Sequence, residues 1–265
     1  MPNTSNDLLE ELALANRILA HEGVLDAFGH VSVRHPGDPG RYLLSRSRSP
    51  ALIEPDDILE FTLDSEPVEP PQAHLYAERV IHGCIYQARG DVMAVCHHHA
   101  PAIMPFAVAG KPIVPVFHLG AAIGEDVPFW DQHDEFGATN LLVVKPEEGR
   151  SLARVLGPHP VVMMNRHGAT VVGGGLKELV SRAIFMCQNA AYQLQALALG
   201  ACKPLHRGEI ERAGAISLLP NVVSRTWEYW SARVPAGAPG RGPARGRKAR
   251  KPQPGSKRRK SKPRK

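Results

Sequence analysis

The sequence predicts an α/β sandwich with a mixed β-sheet, and three observations lead to this class. Short apolar or alternating runs predict strands, and several of them follow one another directly. Segments with apolar residues at helical spacing lie before and after those strands. The chain has 265 residues, of which 43% are hydrophobic, so it can bury a sizeable core as one large domain or two small ones. Strands mixed with helices are typical of sheets that helices cover.

The first half of the chain is predicted to contain a helix, a group of strands and a second helix. Leucines and alanines at helical spacing predict a helix over residues 6–22, with Asn6 or Asp7 as its cap and Gly23 at its end. The other predicted elements are strands at 28–34, 42–45, 58–63 and 92–97, a turn at 35–40, and a helix at 73–89 that carries Glu78 and His82 on nearby faces.

The second half is predicted to alternate between strands, a loop and helices. The predicted elements are strands at 112–117 and 161–164, a loop at 124–140, and helices near 148–156 and from about 176 to 199. Three consecutive glycines, residues 173–175, precede the long helix. They match neither the GxxxxGK[ST] nor the GxGxxG pattern, so we interpret them as a tight turn and not as a phosphate-binding loop.

The positive net charge of the chain comes from its C-terminal segment. The whole sequence has a formal net charge of +6, but residues 235–265 hold 13 of the 32 Lys and Arg residues and no acidic residue. Residues 1–234 therefore carry 19 basic and 26 acidic residues, a net charge of −7. We predict one folded domain over residues 1–234 and a disordered basic tail over residues 235–265, because the tail is rich in Pro and Gly and has no large aliphatic residue.

The tail admits two interpretations. It is either a solvated extension or an arm that makes weak, salt-dependent contacts with nucleic acid or other anionic surfaces. It contains no aromatic residue for base stacking, which argues against specific recognition of single strands. We favour the solvated extension.

The sequence favours a cytoplasmic protein. No apolar run is long enough to span a bilayer, and the N-terminus resembles a capped amphipathic helix more than a signal peptide. The four cysteines show no CxxC pairing and are interpreted as ordinary thiols in a reducing compartment.

A metal site is predicted around the run Cys96-His97-His98-His99. The residues before it are apolar and predict a buried strand. Alternate side chains of a strand share a face, so His97 and His99 project together and His98 projects to the opposite side. With Glu78 and His167, these two imidazoles make a candidate site for Zn, Mn, Fe or Co. The alternative is that some of the 13 histidines cluster by chance, because spacing does not show that these groups converge.

These residues resemble the class II aldolase/adducin family. The resemblance is carried by Glu78, by Val95-Cys96-His97-His98-His99-Ala100-Pro101 and by Asn165-Arg166-His167-Gly168, and it extends from about Leu8 to Leu199. It implies a three-layer α/β/α fold around a mixed sheet, and a homotetramer with active sites between subunits. It also implies one divalent metal per subunit (Mn, Zn, Co or Fe). His97, His99 and His167 would be ligands of that metal, and Glu78 a fourth ligand or the acid/base group.

The sequence departs from the family's sugar-phosphate aldolases where those enzymes bind phosphate. In place of their Gly-Asn, Thr/Ser-Gly and Ser-Ser pairs, it has Gly29-His30, Ser45-Arg46 and Tyr76-Ala77. A phosphorylated sugar is therefore disfavoured. His30, Ser45 and Arg46 are the substrate-binding candidates, with His30 and Arg46 suited to a carboxylate. The alternative is that His30 and Arg46 form a surface pair beside a turn.

His118 is the second catalytic candidate. It falls where the family's sugar aldolases have a catalytic tyrosine that reaches in from a neighbouring subunit. An imidazole can do the same proton transfer near neutral pH. The alternative is a structural residue at a subunit interface.

The segments 26–34 and 78–82 resemble the decarboxylase branch of the family, which acts on ortho-hydroxy aromatic or pyridine dicarboxylates. The prediction is a metal-dependent carbon–carbon lyase for a small unphosphorylated hydroxy-carboxylate. It would decarboxylate its substrate through a metal-stabilised enolate. Three alternatives stay open: an aldolase that cleaves a hydroxy-ketone or sugar-type substrate, an adducin-like binding protein without catalysis, and iron-dependent oxygen chemistry.

Overall fold

A computed structural model describes residues 6–235 of the chain. Within these residues lie seven strands: β1 His30–Arg34, β2 Arg41–Ser45, β3 Ile58–Thr62, β4 Ala94–His98, β5 Phe129–Trp130, β6 Val161–Met164 and β7 Gly168–Gly173. The same residues form eight α-helices: α1 Asn6–His21, α2 Val80–Ala88, α3 Met104–Ala109, α4 Gln132–Phe136, α5 Pro146–Leu156, α6 Leu176–Ala198, α7 Arg207–Ser217 and α8 Pro220–Ser231. Apart from Pro235, the segment predicted as a disordered tail lies outside the described residues, so its disorder and its nucleic-acid contact stay predictions.

The strands form one mixed sheet in the order β3-β2-β1-β4-β7-β6-β5. All neighbouring pairs are antiparallel except β5 and β6, which are parallel. Strand β4 lies at the centre, where His97 is in register with His30 of β1 and with Thr170 of β7. The predicted mixed sheet is confirmed.

Helices cover both faces of this sheet, which makes the three-layer α/β/α architecture. Alternate residues of β6 show the division, because Val161 and Met163 enter one core and Val162 and Met164 enter the other. Helices α1 and α6 pack on the first face, and helices α2 and α5 pack on the second. Each buried aliphatic side chain of these cores stabilises the fold by about 1.5–3 kcal/mol.

Residues 112–117 do not form the predicted strand. The N–H groups of Val114 and Val116 are bonded to two side chains of α6 and not to a neighbouring strand, and the carbonyl of Pro115 accepts the N–H of Leu205 at 2.9 Å. The N–H of Val114 donates to Gln193 Oε1 at 3.0 Å, and the N–H of Val116 donates to Asn189 Oδ1 at 2.8 Å. The strand prediction was wrong because a short apolar run does not reveal which partner satisfies the backbone.

Other element boundaries also differ from the prediction. Helix α2 begins at Val80 and not near residue 73, and a 3₁₀ turn over Ala77–Arg79 precedes it. The predicted loop at 124–140 contains the short elements β5 and α4. Helices α7 and α8 were not predicted. Within residues 6–235, no helix is long and apolar enough to cross a membrane.

We predict that Leu179→Ala destabilises the protein by about 2–5 kcal/mol, because Leu179 of α6 is fully buried and its removal leaves a cavity. Val108→Ala in α3 is the control, since that side chain is 63% exposed, and its cost should stay near 0.5 kcal/mol. Urea unfolding of both variants measures the difference. Equal costs at the two positions would contradict the assigned core.

Candidate metal centre

The side chains of Glu78, His97, His99 and His167 converge on one point. Each offers a ligand atom, and these four atoms all lie within 4.8 Å of one another. The Nε2 atoms of His97 and His99 are 3.0 Å apart, and Glu78 Oε1 lies 3.5 Å from Nε2 of His167. Three imidazoles and one carboxylate at this separation suit a divalent ion such as Zn, Mn, Fe or Co. The four groups named from the sequence are therefore brought together by the fold.

The three histidines lie on strand β4, just after it, and in the turn between β6 and β7. His97 lies in β4 and His99 follows the end of that strand, so both side chains point to the same side, as their spacing predicted. His167 lies in the tight turn between β6 and β7. The next residue must be glycine, because a Cβ at Gly168 would lie 2.2 Å from the carbonyl oxygen of His98. The His-Gly pair thus lets β7 approach β4 closely at the point where the ligands meet.

Neighbouring side chains orient two of the imidazoles. Nδ1 of His97 lies 3.3 Å from Thr170 Oγ1, and Nδ1 of His99 lies 3.2 Å from a carboxylate oxygen of Asp26. Each contact directs Nε2 toward the centre. Asp26 is itself held in place, because its Oδ1 accepts the N–H groups of Phe28 and Gly29 at 2.8 Å each.

The protonation states suit metal binding. Burial lowers the pKa of His97 well below its ordinary value and also lowers the pKa of His99, although Asp26 opposes the second shift. Both imidazoles are therefore neutral at pH 7, as a ligand requires. Burial alone would raise the pKa of Glu78. His167 and the Val143 N–H, which donates to Oε1 at 2.9 Å, nevertheless lower it overall, so Glu78 is a carboxylate.

A cavity of about 420 Å³ opens beside the centre. Its wall combines polar groups of the centre with an apolar surface, which Phe28, Leu75, Tyr76 and Leu142 provide. Phe28 is 73% exposed, so the cavity reaches the surface of the chain. A volume of this size is within the range of cavities that bind small molecules.

The predicted substrate-binding residues occupy different places. His30 lines the cavity. Arg46 lies outside the cavity lining, and its guanidinium pairs with Asp57 at 2.6 Å. Ser45 is 1% exposed, and its hydroxyl has no hydrogen-bond partner among the described residues. The substrate-binding roles of all three stay predictions.

His118 lies apart from the centre in the single chain. It begins a 3₁₀ turn over His118–Ile123, is exposed, and contacts the ring of Phe117. The proton-transfer role predicted for it stays a prediction, and it requires the neighbouring subunit that the resemblance implies.

Sequence reasoning missed the residues that hold the ligands in place. Asp26 and Thr170 had no assigned role, and neither did the Val143 N–H that binds Glu78. One signal for Asp26 is in the sequence, because an Asp two or three residues before a glycine often accepts backbone N–H groups in a turn. Nothing local indicates that the same carboxylate contacts a histidine 73 residues later.

Comparison with known proteins identifies the family. The family model described as the Class II Aldolase and Adducin N-terminal domain matches residues 10–194. This match covers more than half of the chain, so the protein belongs to the class II aldolase/adducin family. The implied three-layer fold and the convergence of His97, His99, His167 and Glu78 agree with that membership.

Named relatives narrow the class of protein. The chain is 34% identical over 242 residues to decarboxylase tropJ of Talaromyces stipitatus, a match that covers 83% of this chain and 91% of that protein. It is 29% identical over 251 residues to a 3,4-dihydroxyphthalate decarboxylase of Arthrobacter keyseri, covering 89% and 97%. An L-fuculose 1-phosphate aldolase from Glaciozyma antarctica shares the fold, with a TM-score of 0.72 and 20% identity over 86% and 88% of the two chains.

These findings define an enzyme of the lyase type with a centre that can bind a divalent metal. Its place is in the decarboxylase-like branch of the family. A small-molecule substrate follows from the family and agrees with the size of the cavity.

We predict that Asp26→Asn weakens metal binding about 10- to 100-fold, because the amide no longer offers a charged acceptor to His99 Nδ1. Competition between the protein and a chelator for Zn²⁺ measures this affinity. Asp38→Asn is a matched control, since Asp38 also accepts a backbone N–H two residues on, at 2.9 Å, but pairs with Arg41 and not with a histidine. Unchanged affinity in Asp26→Asn would contradict the orienting role.

Proposed function

We propose that the protein is a divalent-metal-dependent decarboxylase of a small unphosphorylated ortho-hydroxy aromatic or pyridine carboxylate or dicarboxylate. The observation that carries the proposal is the opening of the three-histidine, one-carboxylate centre onto a cavity with an apolar wall. The polar end suits a hydroxyl and an adjacent carboxylate, and the apolar wall suits the ring that bears them. The names of the two relatives support the same reaction class.

The centre has the groups that decarboxylation needs. His97, His99 and His167 would hold the ion as neutral imidazoles, and the charge of the ion would then not be cancelled by the ligands. When bound, a divalent ion supplies a Lewis acid that stabilises negative charge on the substrate oxygens. The apolar side chains of Phe28, Leu75 and Leu142 would orient the ring and exclude water from it.

Glu78 is the candidate for proton transfer. As a carboxylate it can accept the proton of the substrate hydroxyl on Oε2, while Oε1 stays bound to the Val143 N–H. The bond between the ring carbon and the carboxylate then breaks, carbon dioxide leaves, and the electron pair stays on the ring. Glu78 returns its proton to that carbon, and the phenolate product takes a proton from water on release.

The proposal also covers the oligomeric state, the cellular location, the ion and the substrate-binding residues. We propose a homotetramer in the cytoplasm, with active sites between subunits and with His118 of the neighbouring chain as the alternative to Glu78 for donating the proton to the ring carbon. Exposed apolar side chains on the last turns of α6 support a subunit contact, among them Tyr192, Leu194 and Leu197. Mn, Zn, Co and Fe all remain candidates for the ion. His30, Ser45 and Arg46 remain the substrate-binding candidates, with His30 favoured by its place in the cavity wall.

The test is carbon dioxide release by the Mn- or Co-loaded protein from a panel of ortho-hydroxy aromatic and pyridine carboxylates. We expect metal-dependent release that His97→Ala and His167→Ala abolish, because each removes a ligand. His21→Ala, at the exposed end of α1, is the control that should retain activity.

Other outcomes would favour the alternatives. Aldehyde formation from unphosphorylated hydroxy-ketones, with no carbon dioxide, would favour an aldolase. Oxygen consumption during turnover would favour iron-dependent oxygen chemistry. A protein that binds no divalent metal would exclude the proposed mechanism and favour an adducin-like binding role.

We predict that Glu78→Gln lowers kcat about 10²- to 10⁴-fold, because the amide cannot carry the proton. Metal affinity measured on the same variant separates the two roles left open for Glu78. An acid/base role leaves the affinity within a few fold, whereas a large loss of affinity would make Glu78 primarily a ligand.

A further inference from the structure

A chain of hydrogen bonds runs from the cavity wall into the interior. Nδ1 of His30 lies 2.6 Å from Nε2 of His82, and Nδ1 of His82 lies 2.6 Å from Oγ of Ser32. Oγ of Ser32 in turn lies 2.8 Å from the hydroxyl of Tyr86. The side chains of His82, Ser32 and Tyr86 are 2% exposed or less, and none of them is one of the four converging groups.

The spacing of these four residues in the sequence explains the chain of hydrogen bonds. His30 and Ser32 are two residues apart in β1 and therefore share a face of the sheet. His82 and Tyr86 are four residues apart in α2 and therefore lie on one side of the helix. Helix α2 packs on that face, so the four side chains interleave in the order His30, His82, Ser32, Tyr86.

Both imidazoles in the chain are neutral. Both rings are at most 1% exposed, and burial disfavours the charged form of an imidazole. Among the described residues, His82 forms hydrogen bonds with His30 and Ser32, and neither is a carboxylate that would stabilise a positive charge. Each ring therefore carries one N–H and one acceptor nitrogen, and the open question is which nitrogen carries the proton.

Only one direction of donation pairs every proton that is buried away from the cavity, and it leaves the Nε2–H of His30 for a group in the cavity. If Tyr86 donates to Ser32, then Ser32 donates to Nδ1 of His82, and Nε2 of His82 donates to Nδ1 of His30. If the direction is reversed, the Tyr86 hydroxyl must find another acceptor. Among the described residues, Oγ of Ser32 is the acceptor within hydrogen-bond distance of the Tyr86 hydroxyl. A reversed chain would bury an unpaired hydroxyl proton, which is unfavourable.

We propose that His82, Ser32 and Tyr86 are positioning residues that hold His30 in the tautomer protonated on Nε2, so that His30 presents an N–H donor to an anionic oxygen of the substrate. Nδ1 of His30 is occupied by His82, which leaves Nε2 as the ring nitrogen that meets a ligand in the cavity. A fixed donor favours a carboxylate or phenolate oxygen over a group that itself needs an acceptor. The inference rests on the proposed function for the identity of the ligand, but the assigned tautomer does not.

The first measurement is the tautomer of His30 by ¹⁵N NMR of the full-length, Zn-loaded protein labelled at histidine, with the signal assigned by its loss in His30→Gln. We expect the proton on Nε2 in the wild type. Tyr86→Phe removes the hydroxyl proton that sets the direction, so both tautomers should appear. Tyr42→Phe is the matched control, because it also removes a buried phenol, one that donates to the carbonyl of Arg79 at 3.2 Å, and it should leave the tautomer unchanged.

The second measurement is the binding of salicylate as a probe with an aromatic carboxylate and an ortho hydroxyl. It should shift the Nε2 signal of His30, and His82→Leu should weaken its binding about 3- to 10-fold by removing the bond that fixes the ring. His82→Gln, whose amide can still donate to His30, should restore most of the affinity.

The outcomes separate this inference from the proposed function. A proton on Nδ1 of His30 in the wild type, or no change of tautomer in Tyr86→Phe, would overturn the positioning chain. Salicylate that binds without moving the His30 signal, or that does not bind, would overturn the donor role. Neither result depends on turnover, so failure of carbon dioxide release alone would leave the positioning chain standing and refute only the decarboxylase.

Discussion

The pairing of β4 with β1 and β7 is the constraint on which the site depends. Strand β4 lies between them, with His97 opposite His30 on one side and opposite Thr170 on the other. The first pairing sets the cavity wall beside the metal centre, and the second supplies the oxygen that orients the His97 ring. A shift of one residue in this register would turn every side chain of the strand to the other face. The two cores on the faces of the sheet therefore stabilise the register and the site together.

The sequence predicted the parts of the site that depend on local periodicity. His97 and His99 share a side because alternate strand residues do, and His98 is buried on the other side for the same reason. Glu78 and His167 were placed by resemblance and not by periodicity, since nothing local relates them to β4. The contact of Asp26 with His99 was missed because it joins two distant segments.

The fold predictions failed for similar reasons. Residues 112–117 form a short apolar run that predicts a strand, but Asn189 and Gln193 of α6 accept two of their N–H groups. The helix expected from residue 73 begins later, at Val80. The backbone of Glu78 lies outside the helical region, at φ −91° and ψ 18°. That departure places its carboxylate against the Val143 N–H and beside the histidines. The helical periodicity that predicted a helix from residue 73 fails at Glu78, where the site needs a non-helical backbone.

Burial keeps two groups of histidines neutral, and the neutral rings have different roles in the two groups. At the four converging groups it keeps His97 and His99 neutral, and Nε2 of each ring then has a lone pair that could bind a divalent ion. Along the chain through His82 it also keeps the rings neutral, but there the Tyr86 hydroxyl sets the direction of donation, and the nitrogen that faces the cavity carries a proton. In the cavity, a substrate would therefore find imidazole nitrogens that are used for metal binding on one side. On the other side it would find the N–H donor of His30, which lies in β1. An anionic group that reaches from the centre to that donor satisfies both, whereas a neutral sugar hydroxyl leaves the donor with a weaker partner. The burial of these polar side chains therefore supports the proposed preference for a carboxylate.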